Sequence, residues 1–160
     1  MALNRLSEVL WRERHLLETL LFKLEEEQLL LSSGRTRWLA LATAEVEHAL
    51  DAIREAELAR AVEAEAVAVE LGVVPGSSLA VLAAHAPAPW DELLRAHRDA
   101  FASLTAEIGH LADGNRELLA LSHRATQETL AALQDDVRTY DGSGHAAATS
   151  PLAHLIDRSI

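Results

Sequence analysis

The amino-acid sequence predicts an all-α protein, a long antiparallel helical hairpin or three-helix bundle with coiled-coil-like packing. The main observation is that three long stretches repeat apolar residues at alternating three- and four-residue steps, a spacing that lines one side of a helix. The second observation is the composition: apolar residues make up 49% of the chain, but aromatic residues only 4%. A core of Leu, Ala and Val suits closely packed helices better than a sheet.

The bulk properties narrow the classes of function. A formal net charge of −11 argues against a nucleic-acid partner, because phosphate binding requires a cationic surface. The chain has no cysteine, so disulfides and thiolate chemistry are excluded, which fits a reducing cytosol. No apolar run approaches the ~18–20 residues that cross a bilayer, and the amino terminus lacks the apolar core of a signal peptide. We therefore expect a cytoplasmic protein without membrane insertion.

The first helix is predicted over residues 2–31, and a Ser-Ser-Gly turn ends it. Glu13 and Glu27 take the two places in its apolar seam where a leucine is missing. A second apolar strip, formed by Trp11, Phe22 and Leu29, lies about 100–120° around the helix from the seam. Such a helix either packs between two neighbours or keeps one face for a partner. The seam itself consists of Leu3, Leu6, Leu10, Leu17, Leu20, Leu24 and Leu31.

The second helix is predicted over residues 36–71, with Thr36 as its N-cap and Gly72 as its stop. Small residues occupy many positions of its seam, which indicates that a neighbouring helix approaches closely. A short helix is predicted over residues 79–86, between a turn that contains Pro, Gly and Ser and a Pro-Ala-Pro segment. The seam of the second helix consists of Leu39, Ala42, Val46, Ala49, Ile53 and Ala56.

The third long helix is predicted over residues 90–139, with two acidic residues in its first turn. Asn115 is the polar member of its apolar stripe. A polar residue there either fixes the register or the partner of the helix, or is merely tolerated beside Gly114. The stripe consists of Phe101, Leu104, Ile108, Leu111, Asn115 and Leu118, and after one shift of phase it continues through Leu130, Leu133, Val137 and Tyr140.

The last residues, 141–160, are predicted to form a flexible tail after a bundle domain over residues 1–140. The tail begins with Gly, Ser, Ala and Thr. It ends in a short amphipathic segment containing Leu152, Leu155 and Ile156, which we expect to contact a surface or a partner.

Two Glu-x-x-His spacings resemble the ligands of di-iron helical bundles: Glu45 with His48, and Glu107 with His110. At about 100° per residue, however, both pairs point away from the apolar seams. Only three long helices are predicted, whereas the di-iron arrangement draws ligands from four. The remaining histidines show no ligand spacing, and no glycine-rich phosphate loop is present. We expect no metal, no cofactor and no enzyme activity.

The order of these features resembles the FlgN family of flagellar export chaperones, and most closely members of actinobacterial type. The resemblance covers nearly the whole chain, from the leucine-rich first helix to the ending of the tail at residues 156–160. It is most specific at residues 115–119, which are similar to the family's Asn-x-x-Leu-Leu block, and at residues 140–144, which are similar to its Tyr-x-x-x-Gly junction.

The resemblance implies a cytoplasmic chaperone of flagellum assembly and type III protein export. Such a chaperone binds the helical C-terminal segments of hook-associated junction proteins and delivers them to the cytosolic domain of the flagellar export gate. In the family, substrate binding lies in the carboxy-terminal part, and the junction tyrosine, here Tyr140, is implicated in docking to the gate. The implied client-binding residues are Leu118, Leu119, Leu130, Leu133 and Val137.

Two other functions stay open from the sequence. A generic coiled-coil adaptor or oligomerisation module would self-associate through the strip of Trp11, Phe22 and Leu29. A di-iron helical-bundle enzyme is the third alternative, and the direction of the Glu-x-x-His pairs argues against it.

Overall fold

The computed structural model describes residues 1–141, except for the side chains at positions 136 and 138–141. Its helices confirm the predicted all-α fold, and no strand occurs in this part of the chain. None of the described helices combines the length and the apolarity that a membrane span needs. The elements are α1 (Ala2–Ser32), a short 3-10 helix (Thr36–Trp38), α2 (Leu39–Leu71), α3 (Leu79–His85) and α4 (Trp90–Asp141).

Local backbone features explain where the central helices begin and end. Gly72 follows α2 in the left-handed conformation with φ +69°, which glycine adopts without steric cost. Ser78 caps α3, because its hydroxyl accepts a hydrogen bond from the backbone N–H of Val81 at 3.4 Å. The prediction that Thr36 caps the second helix is wrong. The 3-10 helix takes up the chain reversal, and α2 begins after Trp38 without a side-chain cap.

The chain divides into two compact units, residues 1–119 and residues 120–160. The division falls within α4, so this helix contributes residues to both units. The single bundle domain predicted over residues 1–140 stays a prediction, and the predicted tail lies beyond the described residues.

In the first unit, α1 runs antiparallel to α2 and parallel to the first part of α4. The direction of α2 follows from two contacts at opposite ends of the pair: Ala2 N to Glu70 Oε2 at 3.2 Å, and Lys23 Nζ to Glu45 Oε2 at 2.8 Å. The direction of α4 follows in the same way, because His97 lies beside Trp11 and Asn115 bonds to the carbonyl of Leu24. The unit is therefore an up-down-up arrangement of helices.

Two apolar clusters form the core of the first unit. One lies where the start of α1 meets the end of α2, α3 and the start of α4, and the other lies in the middle of α1 and α2. The predicted seams of α1 and α2 supply every buried residue of the second cluster, as the three- and four-residue spacing requires, but only Leu6 and Leu10 of the first. The first cluster contains Ala2, Leu6, Leu10, Val67, Ala68, Leu82, Ala83 and Leu94; the second contains Leu20, Leu24, Val46, Ala49 and Ile53.

Candidate functional site

The apolar stripe on the later part of α4 is the candidate binding surface. In the second unit, Leu130, Leu133 and Val137 are 47%, 36% and 38% exposed. At about 100° per residue these three side chains fall within about 60° of one another, so they form one continuous stripe. Leu118 and Leu119, at the end of the first unit, are half-buried. The predicted set thus includes three exposed apolar residues on one helix face and two that the first unit already covers in part.

Asn115 lies at the centre of a buried polar network. Its side chain is 2% exposed, and its Nδ2 donates to the backbone carbonyl of Leu24 at 2.9 Å and to Glu27 Oε1 at 3.1 Å. The other oxygen of Glu27 accepts a hydrogen bond from the hydroxyl of Thr43 at 3.0 Å. One carboxylate on α1 is therefore held by α2 on one side and by α4 on the other. Asn115 is a contact between helices and not a residue tolerated at a gap.

Glu13 occupies the other predicted gap in the α1 seam and forms a second buried polar contact. Its Oε1 lies 3.2 Å from the Arg60 guanidinium, and its side chain is almost fully buried. Burial raises the pKa of the Glu13 carboxyl above its ordinary value; Arg60 opposes this shift, and the charge of Glu57 adds to it. This ion pair joins α1 to α2, and the Arg60 guanidinium also lies 5.9 Å from the Phe101 ring of α4.

His97 is a buried residue that the sequence reasoning missed. Its ring packs edge-on against Trp11 at a centroid distance of 4.8 Å, and among the described residues neither ring nitrogen has a hydrogen-bond partner. Burial lowers the pKa of His97 below its ordinary value, and the charge of Arg14 lowers it further. The signal was present in the sequence, because the stripe that begins at Phe101 continues backwards through His97 and Leu94 in the same steps.

The second apolar strip of α1 is exposed, so neighbouring helices of the described chain do not cover it. Trp11, Phe22 and Leu29 are 52%, 60% and 70% exposed. The two aromatic rings are each approached by a cation of the same helix, since Arg14 lies 5.3 Å from the Trp11 ring and Lys23 lies 5.3 Å from the Phe22 ring. The strip therefore has a mixed apolar and cationic character.

The predicted Glu-x-x-His pairs do not come together as a metal site. Glu45 forms an ion pair with Lys23 at 2.8 Å, while His48, Glu107 and His110 are all exposed. Within residues 1–141, wherever side chains are described, no three carboxylate or imidazole groups are arranged to hold a metal ion.

Two groups of predicted site residues lie outside the described side chains. Tyr140 lies in α4 by its backbone, but its side chain is not described, and Leu152, Leu155 and Ile156 follow the last described residue. The predicted roles of these residues in gate docking and tail contact stay predictions.

A family model described as FlgN protein matches residues 1–148. The comparisons with curated proteins and with solved structures gave no match to the chain.

Proposed function

The chain belongs to the FlgN family of flagellar export chaperones, and we propose that it binds hook-associated junction proteins in the cytoplasm, prevents their premature association and delivers them to the export gate. Flagellar hook-associated proteins are the general clients of this family. The choice of client, the surface that binds it and the delivery step are specific to this proposal.

The observation that carries the proposal is the exposed apolar stripe of Leu130, Leu133 and Val137. Spacing of three and four residues makes one face of this part of α4 apolar, while Glu128 and Gln134 lie outside that line. A helix face of this kind gains free energy when a second amphipathic helix covers it. A client segment with its own apolar stripe would supply that cover.

The proposed mechanism requires binding and exclusion without chemistry. A junction protein's terminal helix packs against the stripe through its apolar face, so that face is withheld from other junction subunits. Partial exposure limits the area that each leucine can bury, and this keeps the affinity in a range that permits release at the gate. Tyr140 lies in the last turn of α4, and we propose that it contacts the gate after the client has bound.

The test of the client surface is a double substitution, Leu130→Asp with Leu133→Asp, in cells that co-express a hook-associated protein. Its matched control is Ala125→Asp with Ala132→Asp, which adds the same two charges at exposed positions of the same helix, about 80–160° away from the stripe residues. The affinity of the stripe variant for the client should fall by about 30-fold or more. Two partly exposed leucines each contribute about 1 kcal/mol, and a buried carboxylate adds a further cost. The control should retain the client in co-purification.

Circular dichroism of both variants separates loss of binding from loss of folding. If the stripe variant keeps both its helical content and its client, the proposed surface is wrong. If both variants lose the client equally, added charge and not the stripe is responsible, and the proposal fails in the same way.

A self-association module is the second candidate, because the exposed Trp11, Phe22 and Leu29 could pair with a second copy. Sedimentation of the wild type and of Phe22→Ser distinguishes the two functions. A dimer that dissociates in the variant supports the module, whereas a monomer in both favours the chaperone.

A further inference from the structure

The outer face of α2 carries an exposed apolar stripe that the core does not use. Leu58, Val62 and Val69 are 71%, 67% and 69% exposed, which places them among the most exposed apolar residues of the described chain. At about 100° per residue, Leu58 lies about 180° around the helix from Val67, which is fully buried. We call Leu58, Val62, Glu65 and Val69 the outer α2 stripe.

A stripe in this position differs from scattered surface leucines. Its three apolar residues fall within about 40° of one another around the helix and line several turns, with Glu65 on the same line between Val62 and Val69. A helix on the surface of a bundle ordinarily presents polar residues opposite its core face. An apolar line there, rimmed by charge, is typical of a surface that another protein covers.

A cavity adjoins the stripe and would accept an anchoring side chain. It has a volume of about 690 Å³ and lies between α2 and the turn that leads into α3. Arg60, Ala61, Ala64 and Glu65 form its α2 wall, so Glu65 belongs to both the cavity and the stripe, while the Arg60 guanidinium is already paired with Glu13. Leu79 and Leu82 give the opposite side an apolar lining. The lining is mixed, since Arg60, Glu65, Ser77 and Ser78 also contribute to it, and a recess of this kind can receive one anchoring side chain of a partner.

The charge around the stripe selects the occupant. Glu47, Asp51, Glu55 and Glu65 project from the same outer face of α2. The cation on this face is Arg54, which is already bonded to Asp51 at 2.6 Å. The surface around the outer α2 stripe is therefore negatively charged. A second copy would bring its own negative surface against this one, whereas a helix with lysine or arginine beside its apolar stripe would be complementary.

We propose that the outer α2 stripe and its cavity dock a cationic amphipathic helix of a second protein, separately from the client. The apolar side of that helix covers Leu58, Val62 and Val69, one large apolar side chain enters the cavity, and its flanking cations face Glu55 and Glu65. The proposed client stripe on α4 shares no residue with this surface, so the inference does not rest on the proposed function.

The probe for this surface is a labelled synthetic helix of about three heptads, with leucine on its apolar side and lysine on its flanks. A twin peptide carries glutamate in place of each lysine. Fluorescence anisotropy with the full-length protein should show that the lysine peptide binds at least ~10-fold more tightly than its twin. Leu58→Ser with Val62→Ser should weaken its binding by ~10-fold or more, and Glu55→Lys with Glu65→Lys should favour the glutamate twin.

Two matched variants locate the binding. Phe22→Ser changes an equally exposed apolar residue on α1, and Leu130→Asp with Leu133→Asp changes the proposed client stripe; both should bind the lysine peptide as the wild type does. All of these positions are exposed, so the helical content should be unchanged by circular dichroism. Client co-purification with the Leu58/Val62 variant should also be unchanged.

Three results would overturn the inference. The first is equal binding of the two peptides. The second is binding of the lysine peptide that survives Leu58→Ser with Val62→Ser, or that is lost only in the Phe22 or Leu130/Leu133 variants. The third is a benzophenone at position 62 that couples to residues 142–160 of the same chain or to a second copy, because the occupant would then not be another protein. Loss of the client from the Leu130/Leu133 variant alone bears on the proposed function and leaves this inference standing.

Discussion

Replacing Asn115 with alanine should destabilise the protein by about 2–4 kcal/mol. Asn115 Nδ2 donates one hydrogen bond to the carbonyl of Leu24 and one to Glu27 Oε1. The first is worth about 1 kcal/mol and the second, to a charged acceptor, about 1.5–3 kcal/mol. Alanine returns about 0.5 kcal/mol through its higher helix propensity. The net loss of about 2–4 kcal/mol is a large share of the ~5–15 kcal/mol that stabilises a typical domain.

The assay is urea unfolding followed by circular dichroism. For a slope of about 2 kcal/mol per molar urea, the transition midpoint of Asn115→Ala should fall by about 1–2 M. Arg116→Ala is the control, because Arg116 is the neighbouring residue, its side chain is 77% exposed, and its pairing with Asp113 is solvated. That substitution should change the stability by less than about 0.5 kcal/mol.

A double-mutant cycle with Glu27→Gln tests whether the Glu27 contact is the cause. Removing the charge of Glu27 should reduce the cost of Asn115→Ala by at least about 1 kcal/mol, since a neutral amide accepts a weaker hydrogen bond. A coupling energy within error of zero would refute the reasoning. So would a cost of Asn115→Ala no larger than that of Arg116→Ala.

Two further predictions concern His97 and Tyr140. The folded pKa of His97 lies below its unfolded value, so its contribution to stability is full above that unfolded value and is lost as the pH falls through the folded pKa. Urea unfolding measured between about pH 7.5 and pH 5 should therefore show that His97→Leu loses less stability on acidification than the wild type. If the free energy of unfolding falls equally with pH in both proteins, the ring of His97 is not buried in its neutral form. Tyr140→Ala should leave client co-purification intact and reduce secretion of the client from flagellated cells; equal secretion by the mutant and the wild type would refute a docking role.

The sequence predicted the seams of the long helices because a repeat of three and four residues allows few alternatives. Leu6, Leu10, Leu20 and Leu24 of α1 are all buried, as that repeat requires. The later part of α4 likewise shows its apolar stripe in the sequence, since the spacing of Leu130, Leu133 and Val137 is local to one helix.

The partners of the polar residues could not be predicted in the same way. Glu13 and Glu27 were visible as gaps in the α1 seam, but their contacts with Arg60 and Asn115 depend on how far the helices slide along one another. A single sequence does not contain that register in any local pattern. The error at Thr36 has a related cause, because a 3-10 turn and an α-helical first turn have similar sequence preferences.

These polar contacts also explain how a core of leucine and alanine selects one register. Sliding α4 by one heptad along α1 would keep leucines against leucines, but it would bring Ile108 to the level of Asn115. The carboxylate of Glu27 would then be buried against an aliphatic side chain, at a cost of several kcal/mol. Glu13 imposes the same requirement on α2 through Arg60. Glu13 and Glu27 lie two heptads apart on α1; α2 contacts both of them, and α4 contacts Glu27, so neither neighbour can shift without removing a partner from a buried carboxylate.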